Sequence, residues 1–218
     1  MEKENNDFLL HERMYRKEIS NRDAKILLCG CGALGSWLAE FLSRQGYTNI
    51  TVLDFDRVEQ SNFGTQNFCK SDIGRMKAQQ LANNIFIKIG TKITPIIKRL
   101  TNENTHLLKN YNLIVDLFDN IESRRLVQNA ANTYGIECLH AGVSSIGFLD
   151  ICWNDNYKLP TDNTDRGEDV CEYPLASNLV FLCVSLSAEV INKFIDNGKK
   201  QNLQFWLNSF SVEKSFVC

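Results

Sequence analysis

Apolar and polar residues fall in blocks along the chain, and their spacing predicts strands and helices in turn. KILLC at 25–29 is a compact apolar run, as expected of a strand buried on both faces. Over 33–45 the apolar residues sit at 34, 37, 38, 41 and 42, which is helical spacing, and Gly46 supplies the stop. NITVLD at 49–54 predicts a second strand, 77–89 a helix, KITPIIKRL at 92–100 a strand and NLIVDLFD at 112–119 another. A helix follows over 121–134, then two strands in GIECLHAG and IGFLDICW, a long helix over 175–195, and strand character again over 203–212. Residues 7–20 carry the pattern of a short amphipathic helix or arm, whereas 154–169 are polar and predict a loop. Strands alternating with helices predict an α/β protein. The expected architecture is a Rossmann-like, mostly parallel sheet with helices on both faces and a mixed or antiparallel C-terminal strand extension. With no internal repeat, residues 1–218 read as a single domain, with an N-terminal arm over 1–22 and a crossover loop over 154–174.

Charge narrows the function classes. Lys plus Arg is 24 and Asp plus Glu 26, a net charge of −2, which argues against a nucleic-acid partner. No apolar run approaches the ~18 residues of a membrane helix, so no membrane partner is expected. The start, MEKENNDFLL, lacks the basic-then-apolar order of a signal peptide. Eight cysteines stand at 29, 31, 69, 138, 152, 171, 183 and 218, several inside apolar runs, and no C-x-x-C pair occurs. Zinc is therefore not expected, nor a disulfide framework, and the compartment reads as a reducing cytoplasm.

The first strand ends in Gly30-Cys31-Gly32-Ala33-Leu34-Gly35, a G-x-G-x-x-G loop opening a helix. Gly30 allows the tight turn, Gly32 lets backbone approach a phosphate, and Gly35 lets helix and strand pack closely. The helix N-terminus then attracts the anion. Asp54 ends the next strand, 19 residues after Gly35, where a carboxylate binds a ribose hydroxyl. The loop by itself fits NAD, FAD, S-adenosylmethionine or ATP.

Later blocks separate these nucleotides. Asp54-Phe55-Asp56-Arg57-Val58-Glu59-Gln60-Ser61-Asn62-Phe63-Gly64-Thr65-Gln66 is followed by Gly74-Arg75-Met76-Lys77-Ala78, then by Asp116-Leu117-Phe118-Asp119-Asn120 with Ser123-Arg124. Together with the glycine loop, and in this order, they resemble the ThiF/MoeB/HesA family, the adenylation domain of ubiquitin-activating enzymes and their bacterial relatives. That resemblance implies ATP and Mg²⁺ as cofactors. It implies attack by the C-terminal carboxylate of a small ubiquitin-like or sulfur-carrier protein, with a glycine tail, on the α-phosphorus. Lys77 then contacts the phosphates, Asp119 holds Mg²⁺, Asn62 and Gln66 donate near the reacting phosphate, and Asp54, with Asp56 beside it, belongs to the nucleotide site. Arg16, in Met14-Tyr15-Arg16-Lys17-Glu18-Ile19, resembles an arm arginine that reaches the opposite subunit's ATP, which implies a homodimer or heterodimer. Residues 140–148 and the loop after Asn154 are candidates for lining the channel of the glycine tail.

Two features depart from the family pattern. Thr65 stands where an arginine neutralises triphosphate charge, and the paired C-x-x-C motifs are missing. Cys171 lies in the expected crossover loop. It reads either as the acceptor of the acyl group or as an incidental loop cysteine, because Glu168, Asp169 and Glu172 oppose thiolate formation. Three functions are weighed: a carrier-activating adenylyltransferase, a non-catalytic partner subunit motivated by Thr65, and an NAD-dependent oxidoreductase. His140 ends a strand and reads as an interior histidine or a channel residue.

Overall fold

The computed structural model describes residues 21–159, 176–209 and 211–215. Arg16 and Cys171, with the expected arm and most of the crossover loop, lie outside the described residues.

Strands β1 (Ile26–Cys29), β2 (Ile50–Leu53), β3 (Thr94–Ile96), β4 (Leu113–Asp116), β5 (Cys138–Val143), β6 (Phe148–Trp153), β7 (Asn202–Trp206) and β8 (Ser211–Ser215) form one sheet, in the order β3-β2-β1-β4-β5-β6-β7-β8. β3 through β5 in that order are parallel; the pairs β5–β6, β6–β7 and β7–β8 are antiparallel. This is the expected parallel sheet with an antiparallel extension. Helices α1 (Ala33–Arg44), α2 (Lys77–Ile89), α3 (Ile121–Tyr134) and α4 (Ala176–Asn197) cover it.

The run ILLC shows why both faces are covered. Ile26 and Leu28 join a core with Leu38 and Leu42 of α1, Leu81 and Ile85 of α2, and Val180 and Ile191 of α4. Leu27 and Cys29 point the other way, into a core with Val127 and Ala131 of α3 and Leu108. A strand with no solvent face must be apolar throughout.

Two expectations change. The run 92–100 forms only a three-residue strand, at the sheet edge, where Pro95 costs least. The single strand expected over 203–212 is a hairpin, β7 and β8, broken by a turn after Trp206. Within residues 177–197 of α4 an 18-residue window reaches a mean hydropathy of 1.5, long and apolar enough by composition to cross a membrane, although Glu189, Asn192 and Lys193 interrupt it. In this fold the helix packs against α1, β5 and β6, and its Asn192 is buried, accepting from the Tyr47 hydroxyl at 2.9 Å.

Candidate active site

β1 feeds β2 on one side, while β4 lies on its other side, so the chain direction diverges at the C-terminal ends of β1 and β4. Open α/β sheets bind ligands in this crevice. The register sets Cys29 beside both Leu53 and Asp116, so three strand ends empty into it together.

The glycine loop leaves β1 there. Gly30 has φ +105°, and a Cβ on it would sit 3.1 Å from the Leu117 carbonyl oxygen. A Cβ on Gly35 would come within 1.9 Å of the Gly30 carbonyl oxygen. Among the described residues nothing lies within 4 Å of a Cβ on Gly32, which leaves that side of the loop open to them. Gly32 caps α1 without any side-chain hydrogen bond, so the helix N-terminus presents backbone N–H groups.

Asp54 leaves β2 beside the loop. Its Oδ2 accepts from Cys31 N at 2.7 Å and its Oδ1 from Asp56 N at 2.8 Å. Burial pushes its carboxyl up, against those two hydrogen bonds and nearby Lys77. Lys77 opens α2; its backbone N donates to Asp56 O at 2.8 Å, and its Nζ lies 3.7 Å from Asp56 Oδ2. It is 8% exposed, so its ammonium is not a solvated surface charge.

The segment between Asp56 and Lys77 is folded onto α1 and α2. Asn62 is buried and caps a 3₁₀ turn, its Oδ1 accepting from Glu59 N at 2.8 Å. Gln66 is buried one turn later, its N donating to Asn62 O. Thr65 is buried too, and its carbonyl accepts from Trp37 Nε1 at 2.8 Å, tying the turn to the first turn of α1. Asp119, exposed, follows β4; Asn120 caps α3 by accepting from Ser123 N at 2.8 Å and donates to Asp119 Oδ1 at 3.3 Å. The residues just before Asp119, Leu117 and Phe118, touch the Gly30 position. The structure thus gathers the glycine loop, Asp54, Asp56 and Lys77 at one strand-end crevice, brings Asp119 to its rim through that contact, and docks the Asn62–Gln66 turn against α1.

Three polar clusters, around Glu40, Asp72 and Asp116, escaped the sequence reading. The carboxylate of Glu40 on α1 accepts from Arg44, Lys88 Nζ at 2.9 Å and Asn67 Nδ2 at 2.6 Å, and is held down to about 2, although burial opposes this. Asp72 accepts from Cys69 N, Gln80 Nε2 and Asn84 Nδ2, which hold its carboxyl below the usual range against burial. The third cluster is centred on fully buried Asp116. His140 Nδ1 sits 2.8 Å from Asp116 Oδ2, so the interior reading of His140 is the one realised. Arg124 Nη1 lies 3.8 Å from the same oxygen. Asp116 and Arg124 stand in the quoted blocks, but nothing in local spacing links them to His140 or Tyr157.

The ThiF family model matches residues 14–210. The chain is 32% identical over 143 residues to the probable adenylyltransferase/sulfurtransferase MoeZ of Mycobacterium tuberculosis, covering 62% of this chain and 35% of that protein. It is 33% identical over 132 residues to the sulfur carrier protein ThiS adenylyltransferase of Bacillus subtilis, covering 58% and 39%. It is 30% identical over 109 residues to the NEDD8-activating enzyme E1 catalytic subunit of Arabidopsis thaliana, covering 49% and 24%. The matches thus span between 24% and 39% of these relatives' length. Among solved structures, Escherichia coli MccB with ATP shares the fold at TM-score 0.79 and 15% identity, over 97% of this chain and 71% of that one. Matched by the family model over nearly its whole length, on a sheet and glycine loop of the expected kind, the chain belongs to the ThiF family.

Proposed function

We propose that this protein adenylates the C-terminal carboxylate of a small ubiquitin-like or sulfur-carrier protein. A carboxylate oxygen attacks the α-phosphorus of ATP, the bond to the bridging α–β oxygen breaks, and pyrophosphate leaves with the electron pair. The observation that carries this reading is the shared crevice: an open glycine loop at a helix N-terminus, a nearly buried Lys77 and the Asp119 strand end. The relatives named as adenylyltransferases support it, as does the similarity to a protein solved with ATP.

In this reading the α1 N-terminus and Lys77 neutralise phosphate charge where it develops. Asp54 has one oxygen engaged by Cys31 N of the glycine loop and the other by Asp56 N, so it shapes the loop as well as facing the ribose. Asn62 and Gln66 present amides from a turn that α1 holds. Asp119, an exposed carboxylate at the crevice, fits Mg²⁺, which takes one or two carboxylates beside phosphate oxygens. Bound Mg²⁺ supplies charge neutralisation at the triphosphate. Arg16 from a second subunit, and acyl capture by Cys171, belong to the same proposal. So does a reducing cytoplasm, supported by the free thiols of Cys29, Cys31, Cys69, Cys138, Cys152 and Cys183.

ATP–pyrophosphate exchange with Mg²⁺ and a panel of small proteins ending in Gly-Gly tests the reading. Carrier-dependent exchange supports it and shows that Thr65 is tolerated. Measurable ATP binding with no exchange, also after co-purification from the native host, overturns it in favour of a partner subunit. NADH binding with no ATP binding revives the oxidoreductase.

A further inference from the structure

The buried cluster around Asp116 joins two segments of the chain that are far apart in sequence. Arg124, the fourth residue of α3, has a side chain only 14% exposed. Its Nη2 donates to the Ala141 carbonyl of β5 at 2.9 Å, and its Nη1 donates to the Tyr157 hydroxyl at 3.1 Å. Its charge faces Asp116 at 3.8 Å. The Tyr157 ring stacks on His140 with centroids 3.8 Å apart and planes 8° from parallel. Gln128, one turn further along α3, donates to the Tyr157 carbonyl at 2.9 Å. Next to Tyr157, Asn154 Oδ1 lies 2.8 Å from His140 Nε2. One planar guanidinium therefore binds the end of β5 and the chain leaving β6 at the same time. A fork of this kind is what arginine supplies and lysine does not.

The two segments so joined, at Ala141 and at 154–157, belong to the stretches named above as candidates for lining the channel of the glycine tail. Gly142 lies in the first of them, and a Cβ on it would sit 3.2 Å from Arg124 Nη2. We propose that Arg124 is a positioning residue that sets the spacing of these two segments, and so the seat of the acyl substrate, without contributing to ATP binding. The inference rests on the adenylation reading for its catalytic consequence; the tie between the segments stands on the geometry alone.

The test uses Arg124→Lys, Tyr157→Phe and Gly142→Ala in the full chain. Tyr157→Phe keeps the stack on His140 and removes only the hydroxyl, so it remains informative should Arg124→Lys fail to fold. Amide hydrogen exchange at 154–157 is expected to rise about tenfold or more in Arg124→Lys and Tyr157→Phe, with α2 unchanged. The ATP dissociation constant is expected to stay within about twofold, while KM for the carrier in pyrophosphate exchange rises about fivefold or more. Gly142→Ala should raise that KM in the Arg124 background and have little further effect beside Arg124→Lys, the non-additivity of groups in contact. Unchanged exchange at 154–157 overturns the tie, and loss of ATP affinity in step with activity overturns the positioning role. If the wild type binds ATP but activates no carrier, the adenylation reading falls, and the amide measurement still decides the tie.

Discussion

The glycines of the phosphate loop are not equivalent, and the difference is measurable. Gly35 is required by contact: a Cβ 1.9 Å from the Gly30 carbonyl oxygen forces the α1–β1 packing apart. Gly35→Ala should therefore destabilise the protein by about 3 kcal/mol or more, read as a lowered denaturation midpoint. Gly32 meets nothing within 4 Å among the described residues, so Gly32→Ala should leave the midpoint nearly unchanged and weaken ATP binding, since only a ligand would feel the methyl. Undiminished ATP affinity in Gly32→Ala would show that the open side of the loop is not where phosphate sits. Lys77 gives a second contrast. Its Nζ has one 3.7 Å ion-pair partner, half-exposed Asp56, so its loss costs little stability. Lys77→Ala should lower pyrophosphate exchange about a hundredfold or more, with a thermal midpoint close to wild type. The glycines and Asp54 were legible because loop chemistry is local and they stand at fixed offsets from a strand end, whereas Lys77 was legible only through the family resemblance of its block.

Between elements, the chain uses buried carboxylates as clamps, and these were not legible beforehand. Glu40 lies off the apolar stripe of α1, on the side of Ser36 and Ser43, yet it is buried, which its spacing does not announce. Its partners come from three places: Arg44 one turn on, Lys88 of α2, and Asn67, the residue after Gln66. Asn67 N in turn donates to Ser36 Oγ at 2.9 Å. The cluster thus fastens the Asn62–Gln66 turn between α1 and α2. Its carboxyl is held at about 2, against an ordinary 4.5. A depressed acid stabilises the fold fully above its unfolded value and loses that contribution as pH falls toward the folded one. The window here is pH 4.5 down to about 2, and the contribution at neutral pH is on the order of 3 kcal/mol. Urea denaturation should show Glu40→Gln less stable than wild type at pH 7 and the gap more than roughly halved at pH 3. A gap independent of pH would mean that shape, not charge, holds the clamp. The Asp116 cluster was hidden for the same reason: its members are assembled by strand register and by the return of the chain after β6, and no spacing rule joins positions 116, 124, 140 and 157.

For the whole molecule, period alone carried most of the architecture. The helices over 77–89 and 121–134 match the sequence bounds, because a Gly in the left-handed region ends each one, at Gly90 and Gly135. The turn that splits β7 from β8 was less visible, since 203–212 carries no Gly or Pro to punctuate it. The sheet order then makes the crevice, and the crevice turns separate blocks into one site. What the sheet does not supply is the guanidinium missing at Thr65, whose carbonyl is spent on Trp37. A second subunit lending Arg16 would restore a cation at the triphosphate, and this has a quantitative consequence. Arg16→Ala and Lys77→Ala subunits, mixed and allowed to exchange, form mixed dimers as about half of all dimers if pairing is random. Each mixed dimer holds one site with Lys77 from one subunit and Arg16 from the other, and one site lacking both. About a quarter of the wild-type pyrophosphate exchange should therefore return from two nearly inactive proteins. Arg16 acting within its own subunit would leave every site in the mixture defective, and the recovered activity would be no more than the sum of the two variants.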